Sequence, residues 1–346
     1  MTVITVHMLL ALSILFSGPA DAVATDSKEV VCFVYHRFDD DRFPSTNISL
    51  TDFEAHLQYL RDNNYQVLPF AKAIEYLQSD QPYRKTAVIT IDDGYKSFYA
   101  SGLPLLEKYG YPATLFINTK TVGGRDYMDW EALQDAAARQ IEIGNHTHSH
   151  AYFLNMPESS RYKTFEDEIR LSQKIITEQL GSTPTSFAYP YGELDSKMEE
   201  IIRSAGFTAA AAQNSGVISS RSNFMRCPRF PMSESYAAIE KFSAKARMHA
   251  LIIKEENPSS FMMSEDNRPE LTLLFDKGEL QTNQLQCFIQ GSECQITVTE
   301  KGGEIILKLS ATGKLTRRRT LYTVTVPDKN GQWHWHSHLW IDPSVR

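Results

Sequence analysis

The 346-residue sequence is poor in cysteine, with four in all, and no two of them make a C-x-x-C pair. That spacing excludes a zinc ribbon and a thioredoxin-like redox site. A P-loop and a dinucleotide-binding glycine fingerprint are also missing, so nucleotide chemistry is not indicated. Positive charge is not in excess: 35 Lys and Arg against 42 Asp and Glu give a net charge of −7. This disfavours a nucleic-acid partner and fits a neutral or cationic substrate better than an acidic polymer. There is no internal repeat and no low-complexity tract. No stretch is apolar enough to span a membrane, since the apolar run at Met8–Phe16 is too short. That run has no Lys or Arg before it, but Ala20-Asp21-Ala22 offers a cleavage site after it. The layout is that of a secretory signal peptide over residues 1–22, and it predicts an exported protein, periplasmic or secreted. No Cys stands near the cleavage site, which argues against a lipoprotein.

What remains is a globular composition, 42% hydrophobic and 22% charged. Between Val30 and Lys254, strand-like and helix-like segments alternate. Val30–Tyr35, Ala87–Ile91, Ala113–Asn118, Ile141–Gly144, Phe187–Tyr189 and Phe207–Ala212 read as strands. They are continuous apolar runs, which marks a parallel sheet buried on both faces. Helices are expected after Thr51, with Glu54 completing a capping box, after Pro69, over Leu133–Arg139, over Phe165–Leu180 and over Ser196–Ser204. Lys245–Ile253 also reads as helical. The fold class is therefore α/β, a barrel or an open sheet, spanning about 28–254. Residues 255–270, rich in Pro, Ser, Asn and Asp, read as a linker. From 271 to 346, short strands separated by polar turns predict a small antiparallel β-sandwich. Cys287 and Cys294 flank Gly291 and predict a hairpin-bridging disulfide, while Cys32 and Cys227 are expected to be buried thiols.

Polar clusters follow the strands directly: His36 after the first, Asp92-Asp93, then His146 and His150, then Tyr191. In parallel α/β folds such strand ends gather at one face and build the active site. His146 and His150, four residues apart, can face one ion, and a strand-end aspartate can supply a third ligand. Two adjacent carboxylates repel unless something cationic sits between them. A metal held by one, with the other free to take a proton from water, resolves that repulsion in a hydrolytic site. Taken alone, Asp-Asp-Gly is an ordinary turn and a His-rich pentad an ordinary surface; together at strand ends they make a site.

Thr90-Ile91-Asp92-Asp93-Gly94-Tyr95, Asn145-His146-Thr147-His148-Ser149-His150 and Tyr189-Pro190-Tyr191-Gly192 resemble the three ordered motifs of the polysaccharide deacetylases. This is the NodB-homology domain of carbohydrate esterase family 4. Tyr35-His36 and Pro228-Arg229 look most like the branch acting on poly-β-1,6-N-acetylglucosamine. The resemblance covers about Val30 to Met232. It implies a distorted (β/α) barrel and hydrolysis of N-acetyl groups on a glycan. It implies Asp92 as general base, Asp93, His146 and His150 as metal ligands, and the Tyr191 N–H as an oxyanion donor, with Pro190 beside it. Zinc is the default for that ligand set, and Co, Ni or Fe also suit it. His148 is not expected to be a ligand. Two departures stand out. Ala188 occupies the place of an Arg that orients the base, and Arg229 could supply that cation from another strand end or make a surface salt bridge. The late L-x-H motif that supplies an acid is missing, His249 matches it poorly, and His36 is the substitute.

Trp130 either lines a sugar subsite or staples the next helix. Trp333 and Trp335 are expected on one face of a strand and Trp340 on the other, either in the sandwich core or as a glycan platform. His334, His336 and His338 read as a solvated stripe. The function this supports is metal-dependent N-deacetylation of an exported polysaccharide. An O-acetyl esterase and a catalytically weak glycan-binding protein are the alternatives.

Overall fold

The computed structural model describes residues 28–263 and 267–345; the expected signal peptide lies outside them. Six parallel strands frame the first part: Glu29–Tyr35 (β1), Thr86–Asp93 (β2), Ala113–Ile117 (β3), Ile141–Asn145 (β4), Ser186–Ala188 (β5) and Ala209–Ala211 (β6). They pair in chain order. The runs are apolar throughout because both faces are covered. Val31, Phe33 and Tyr35 pack outward with Ile89 and Ile91 against the flanking helices. Cys32 and Val88 point the other way and share a core with Phe116, Ala188, Ala211 and Cys227. Phe116 fills that interior so closely that a Cβ on Gly144 would lie 2.4 Å from its ring, which is why β4 carries glycine there. The helix Phe70–Gln78 contributes Phe70, Ala73, Ile74 and Leu77 to the same core.

The sheet curls back on itself. Val217–Ser219 (β7) pairs antiparallel with the start of β1, and Phe230–Pro231 (β8) runs parallel to Phe33–Val34. Cys227, just before β8, bridges to Ala211 on β6. The segment 227–231 thus spans the gap between the first and last parallel strands, in a curled, barrel-like sheet. Cys32 and Cys227 are buried thiols, as expected, and burial pushes the Cys32 thiol up to about 12.

Several local expectations shift. Helix Leu50–Asp62 is capped by Ser49, whose Oγ accepts from the Asp52 N–H at 3.0 Å, and not by Thr51 with Glu54. Ser49 is the residue whose backbone is still extended. Helix Glu158–Leu180 starts seven residues before Phe165, because its first turns are solvent-facing and carry no apolar period, and it ends on Gly181 at φ 72°. Lys245–Ile253 is not a helix: Ile239–Ala246 is, and His249–Ala250 (β9) is a strand beside His334–Trp335.

The C-terminal part is two four-stranded sheets. Residues 255–257, expected in a linker, form strand Glu255–Asn257 (β10) because they pair with Thr272–Leu274. Leu271–Asp276 (β11), Gln286–Ile289 (β12), Cys294–Lys301 (β13), Glu304–Ala311 (β14), Arg319–Pro327 (β15) and Trp333–Ile341 (β16) follow. The sheet orders are β9-β16-β15-β12 and β10-β11-β14-β13. Leu271, Leu273, Phe275, Ile305 and Leu307 meet Tyr322, Val324, Val326 and Trp340 in their shared core. Cys287 and Cys294 are bonded, with Cα atoms 6.0 Å apart. Their strands belong to different sheets, so the bond ties the two sheets together instead of bracing a hairpin. The histidine stripe is not a solvated face. His336 Nε2 and His338 Nδ1 lie 3.1 and 2.9 Å from Glu256, and His338 is fully buried. Among the described residues, no helix is long and apolar enough to cross a membrane.

Candidate active site

β2 ends in Asp92 and Asp93, and β4 ends in Asn145 just before His146. β2 and β4 flank β3, so all these groups emerge at one edge of the sheet. Backbone strain concentrates there: Asp93, Thr147, His150 and Tyr191 all have positive φ, 75°, 67°, 55° and 58°. Non-glycine residues held in that region mark sites where geometry outweighs conformational cost.

Asp92 is fully buried. Arg229, equally buried, grips it with two parallel hydrogen bonds, Nη1 to Oδ1 and Nη2 to Oδ2, each 2.8 Å. Arg229 is itself fixed by Nε donating to the Ala212 carbonyl at 2.9 Å and Nη1 donating to Thr90 Oγ1 at 3.1 Å. Burial opposes ionisation of Asp92, but the guanidinium charge and its bidentate hydrogen bonds outweigh it, and the carboxyl sits below its ordinary value. Of the two readings left open for Arg229, a base partner or a surface salt bridge, the surface one fails. Segment 227–231 carries its side chain into the barrel, to the side where Ala188 leaves no cation.

Asp93 Oδ1 lies 3.5 Å from His146 Nε2 and 3.4 Å from His150 Nε2. Ligand atoms of these three residues all fall within 4.8 Å of one another. His146 Nδ1 is 2.7 Å from the Ala188 carbonyl, which can only accept. Nδ1 therefore carries a proton, and Nε2 is the atom that faces Asp93. Burial opposes protonation of the His146 imidazole, but Asp93 and Asp92 beside it outweigh burial and raise it above its ordinary value. Burial pushes the His150 imidazole down to about 4, so it is neutral at ordinary pH. The turn between the histidines is tied by Asn145 Oδ1 accepting from the Thr147 N–H at 2.8 Å and Thr147 Oγ1 accepting from the His150 N–H at 3.1 Å. Two nitrogens and one carboxylate oxygen fit a borderline divalent cation. His148 turns aside, 2.8 Å from Thr119 Oγ1.

His36 follows β1 and lies within electrostatic reach of both aspartates. His249 lies at the other end of β1, with Nδ1 2.9 Å from Glu29. Pro190 is buried, and the Tyr191 ring packs 4.4 Å from His150. Trp130 opens helix Trp130–Ala138, which Asp129 caps, and packs against the outer barrel core. An aromatic pair beside the Asp92-Asp93-Gly94 turn is Tyr95 and Tyr127, with centroids 5.0 Å apart and Arg37 3.5 Å above Tyr95.

Sequence reasoning missed a set supplied across the fold. Tyr152 stacks on Tyr191 at 3.6 Å and 5°. Arg319, at the start of β15, donates to the Tyr191 carbonyl at 2.6 Å, and Arg318 clasps buried Glu193 with two bonds of 2.6 Å. The only sequence signal was the charge run Arg317-Arg318-Arg319, which reads equally as a solvated turn.

Residues 79–210 match the family profile described as polysaccharide deacetylase. The Bacillus subtilis protein YxkH, which carries that family's name, is 28% identical over 176 residues, 51% of this chain and 62% of its own length. The match thus spans less than two thirds of that relative. A Staphylococcus aureus poly-β-1,6-N-acetyl-D-glucosamine N-deacetylase is 22% identical over 215 residues, covering 58% of this chain and 73% of that protein. The solved structure of the Streptococcus pyogenes deacetylase PplD with acetate aligns at a TM-score of 0.58 and 18% identity, over 64% of this chain and 99% of that one. At that identity the likeness is one of fold.

Proposed function

We propose that this chain, which carries a polysaccharide deacetylase domain over residues 79–210, is a metal-dependent hydrolase that removes N-acetyl groups from an exported N-acetylglucosamine polymer. The observation that carries the reading is the pairing of a buried, ionised Asp92 with an adjacent Asp93–His146–His150 set suited to a divalent cation. Zinc is the metal the donor set favours. A cation held there supplies Lewis-acid polarisation of the acetyl carbonyl.

The chain's own residues do the rest. Asp92 accepts the proton of the attacking water, and Arg229 keeps it ionised and oriented for that task. The Tyr191 N–H donates to the oxygen on which charge develops, and Arg319 holds the residue in place through its own carbonyl, in the next peptide unit. His36, which follows β1, returns a proton to the departing amine. An exported setting is supported by the Cys287–Cys294 bond, since such bonds persist in oxidising compartments.

The test is release of free amine from N-acetylglucosamine oligomers beside release of acetate from acetylxylan, for the native chain and Asp92→Asn. Amine release falling about 10²–10⁴-fold in Asp92→Asn, with metal content kept, is expected for a positioned base. Loss of metal in that variant would exchange the roles of the two aspartates. Turnover of acetylxylan alone would make the protein an esterase.

A further inference from the structure

A cleft of about 1090 Å³ opens at the end of the barrel away from Asp92. One wall comes from the beginnings of the strands: Glu29 opens β1, Thr86 opens β2, and Tyr83 and Lys85 precede it. Asp92 and Asp93 lie at the other end of β2. The facing wall is one side of the β9-β16-β15-β12 sheet. Gln286, Thr325 and Trp335 stand opposite one another across three strands, and Phe288 and Trp333 lie two residues along on the same face. Trp340, on the opposite face, goes into the sandwich core.

Three aromatic faces here are open. Phe288 is 55% exposed, Tyr83 is 47% exposed and Trp333 is half-buried, and none has a ring partner among the described residues. Lys245 stands with its ammonium 3.5 Å over the Trp335 ring, half-buried and with no hydrogen bond or ion pair to any described residue. Burial pushes it down to about 8. The cleft's carboxylate, Glu29, is already engaged by His249 Nδ1 at 2.9 Å and by the Ala250 N–H at 3.2 Å. Gln286, Asn330 and Gln332 add neutral amides.

Flat aromatic faces stack on the C–H faces of pyranose rings, and amides bond their hydroxyls. The unpaired ammonium calls for a carbonyl acceptor, and an acetamido group offers one. A deacetylated residue would instead set its own ammonium against Lys245. We propose that this cleft is a second glycan-binding site, selective for N-acetylhexosamine segments and remote from the Asp92 site. It would hold the polymer by segments not yet processed. The choice of sugar rests on the deacetylase reading; the existence of the site does not.

The experiment uses the full chain as Asp92→Asn, loaded with zinc, in calorimetric titrations. The probes are an N-acetylglucosamine hexamer, its fully deacetylated form and a uronic acid hexamer. Two N-acetylated hexamers are expected per chain, falling to one when Phe288→Ala and Trp333→Ala are added. Both substituted positions keep solvent access, and an unchanged thermal midpoint verifies the fold. Lys245→Gln should cut the preference for the N-acetylated over the deacetylated hexamer at least tenfold. In the native background, Phe288→Ala with Trp333→Ala should leave turnover of an N-acetylglucosamine dimer unchanged. Identical stoichiometry and affinity with and without the aromatic substitutions would overturn the proposal, as would tighter binding of the uronic acid hexamer. Aromatic-dependent binding in a native chain that releases no amine would sink the deacetylase reading and leave the cleft standing. Amine release with a single binding site would do the reverse.

Discussion

Arg229→Met tests the centre of the site most directly. Methionine approximates the length of the side chain and removes the cation. Asp92 then faces burial with no guanidinium to oppose it, so its carboxyl rises from below its ordinary value to above it. Breaking a buried pair by removing one partner costs about 3–5 kcal/mol, because the other charge is stranded. Four hydrogen bonds of the guanidinium go with it, two to Asp92 and one each to Ala212 and Thr90, which makes the upper part of that range the expectation here. Amine release should fall about 10²–10⁴-fold, as for loss of the base itself. Metal content should stay, since Arg229 makes no hydrogen bond or ion pair to Asp93, His146 or His150 in the described residues. The decisive measurement is the double variant Arg229→Met with Asp92→Asn. A neutral amide no longer needs the cation, so urea unfolding should show much of the lost stability restored while activity stays absent. If the double variant is as unstable as the sum of the two single ones, the pair is not coupled and Arg229 acts by packing alone. If the single variant turns over within threefold of native, the base lies elsewhere.

Three further outcomes are expected. His150→Ala should lose stoichiometric divalent metal and activity together, read by elemental analysis and amine release; full metal occupancy would remove it from the ligand set. Cys287→Ser with Cys294→Ser should lower the unfolding free energy by roughly 2–3 kcal/mol, because a short loop and a tie between two sheets are released together; non-reducing mass spectrometry of the native chain should find neither thiol free. His56 is buried, its Nε2 2.6 Å from the Ala237 carbonyl and its Nδ1 3.0 Å from the Tyr35 hydroxyl, and burial lowers it from 6.5 to about 4. Its unfolded form therefore binds the proton first, so stability should be full above pH 6.5 and fall by about 3 kcal/mol as pH drops towards 4, a slope that His56→Gln should flatten.

The parallel sheet was legible because its strands are unbroken apolar runs, a pattern that only two-sided burial demands. Asp92, Asp93, His146 and His150 were legible because they follow such runs immediately, where a parallel fold has one edge to offer. What escaped detection was set by register and by distance along the chain. The β10 strand was hidden because Glu255–Asn257 carries a polar composition, and its pairing with Thr272–Leu274 depends on the backbone. The disulfide's role as a tie between sheets could not be read from a spacing that suits a hairpin equally well. His334, His336 and His338 alternate as a solvated edge would, yet Glu256 from another sheet faces two of them.

The same reasoning bears on the second part of the chain. Tyr191 and Arg319 are 128 residues apart, and no periodicity connects them. Arg319 nevertheless holds the carbonyl of the residue whose N–H faces the reacting oxygen in the proposed mechanism. Arg318 holds Glu193 two residues on, and lies 4.6 Å from the Tyr152 ring that stacks on Tyr191. Tyr191 keeps a positive φ, a conformation that costs free energy unless its surroundings fix it. The surroundings here are the first residues of β15. The C-terminal sheets therefore do more than append a surface to the barrel: they brace the loop that the candidate chemistry needs held still, and their outer face walls the aromatic cleft at the other end. A barrel cut away from them would keep Asp92, Asp93 and both histidines and lose the clamp on Tyr191.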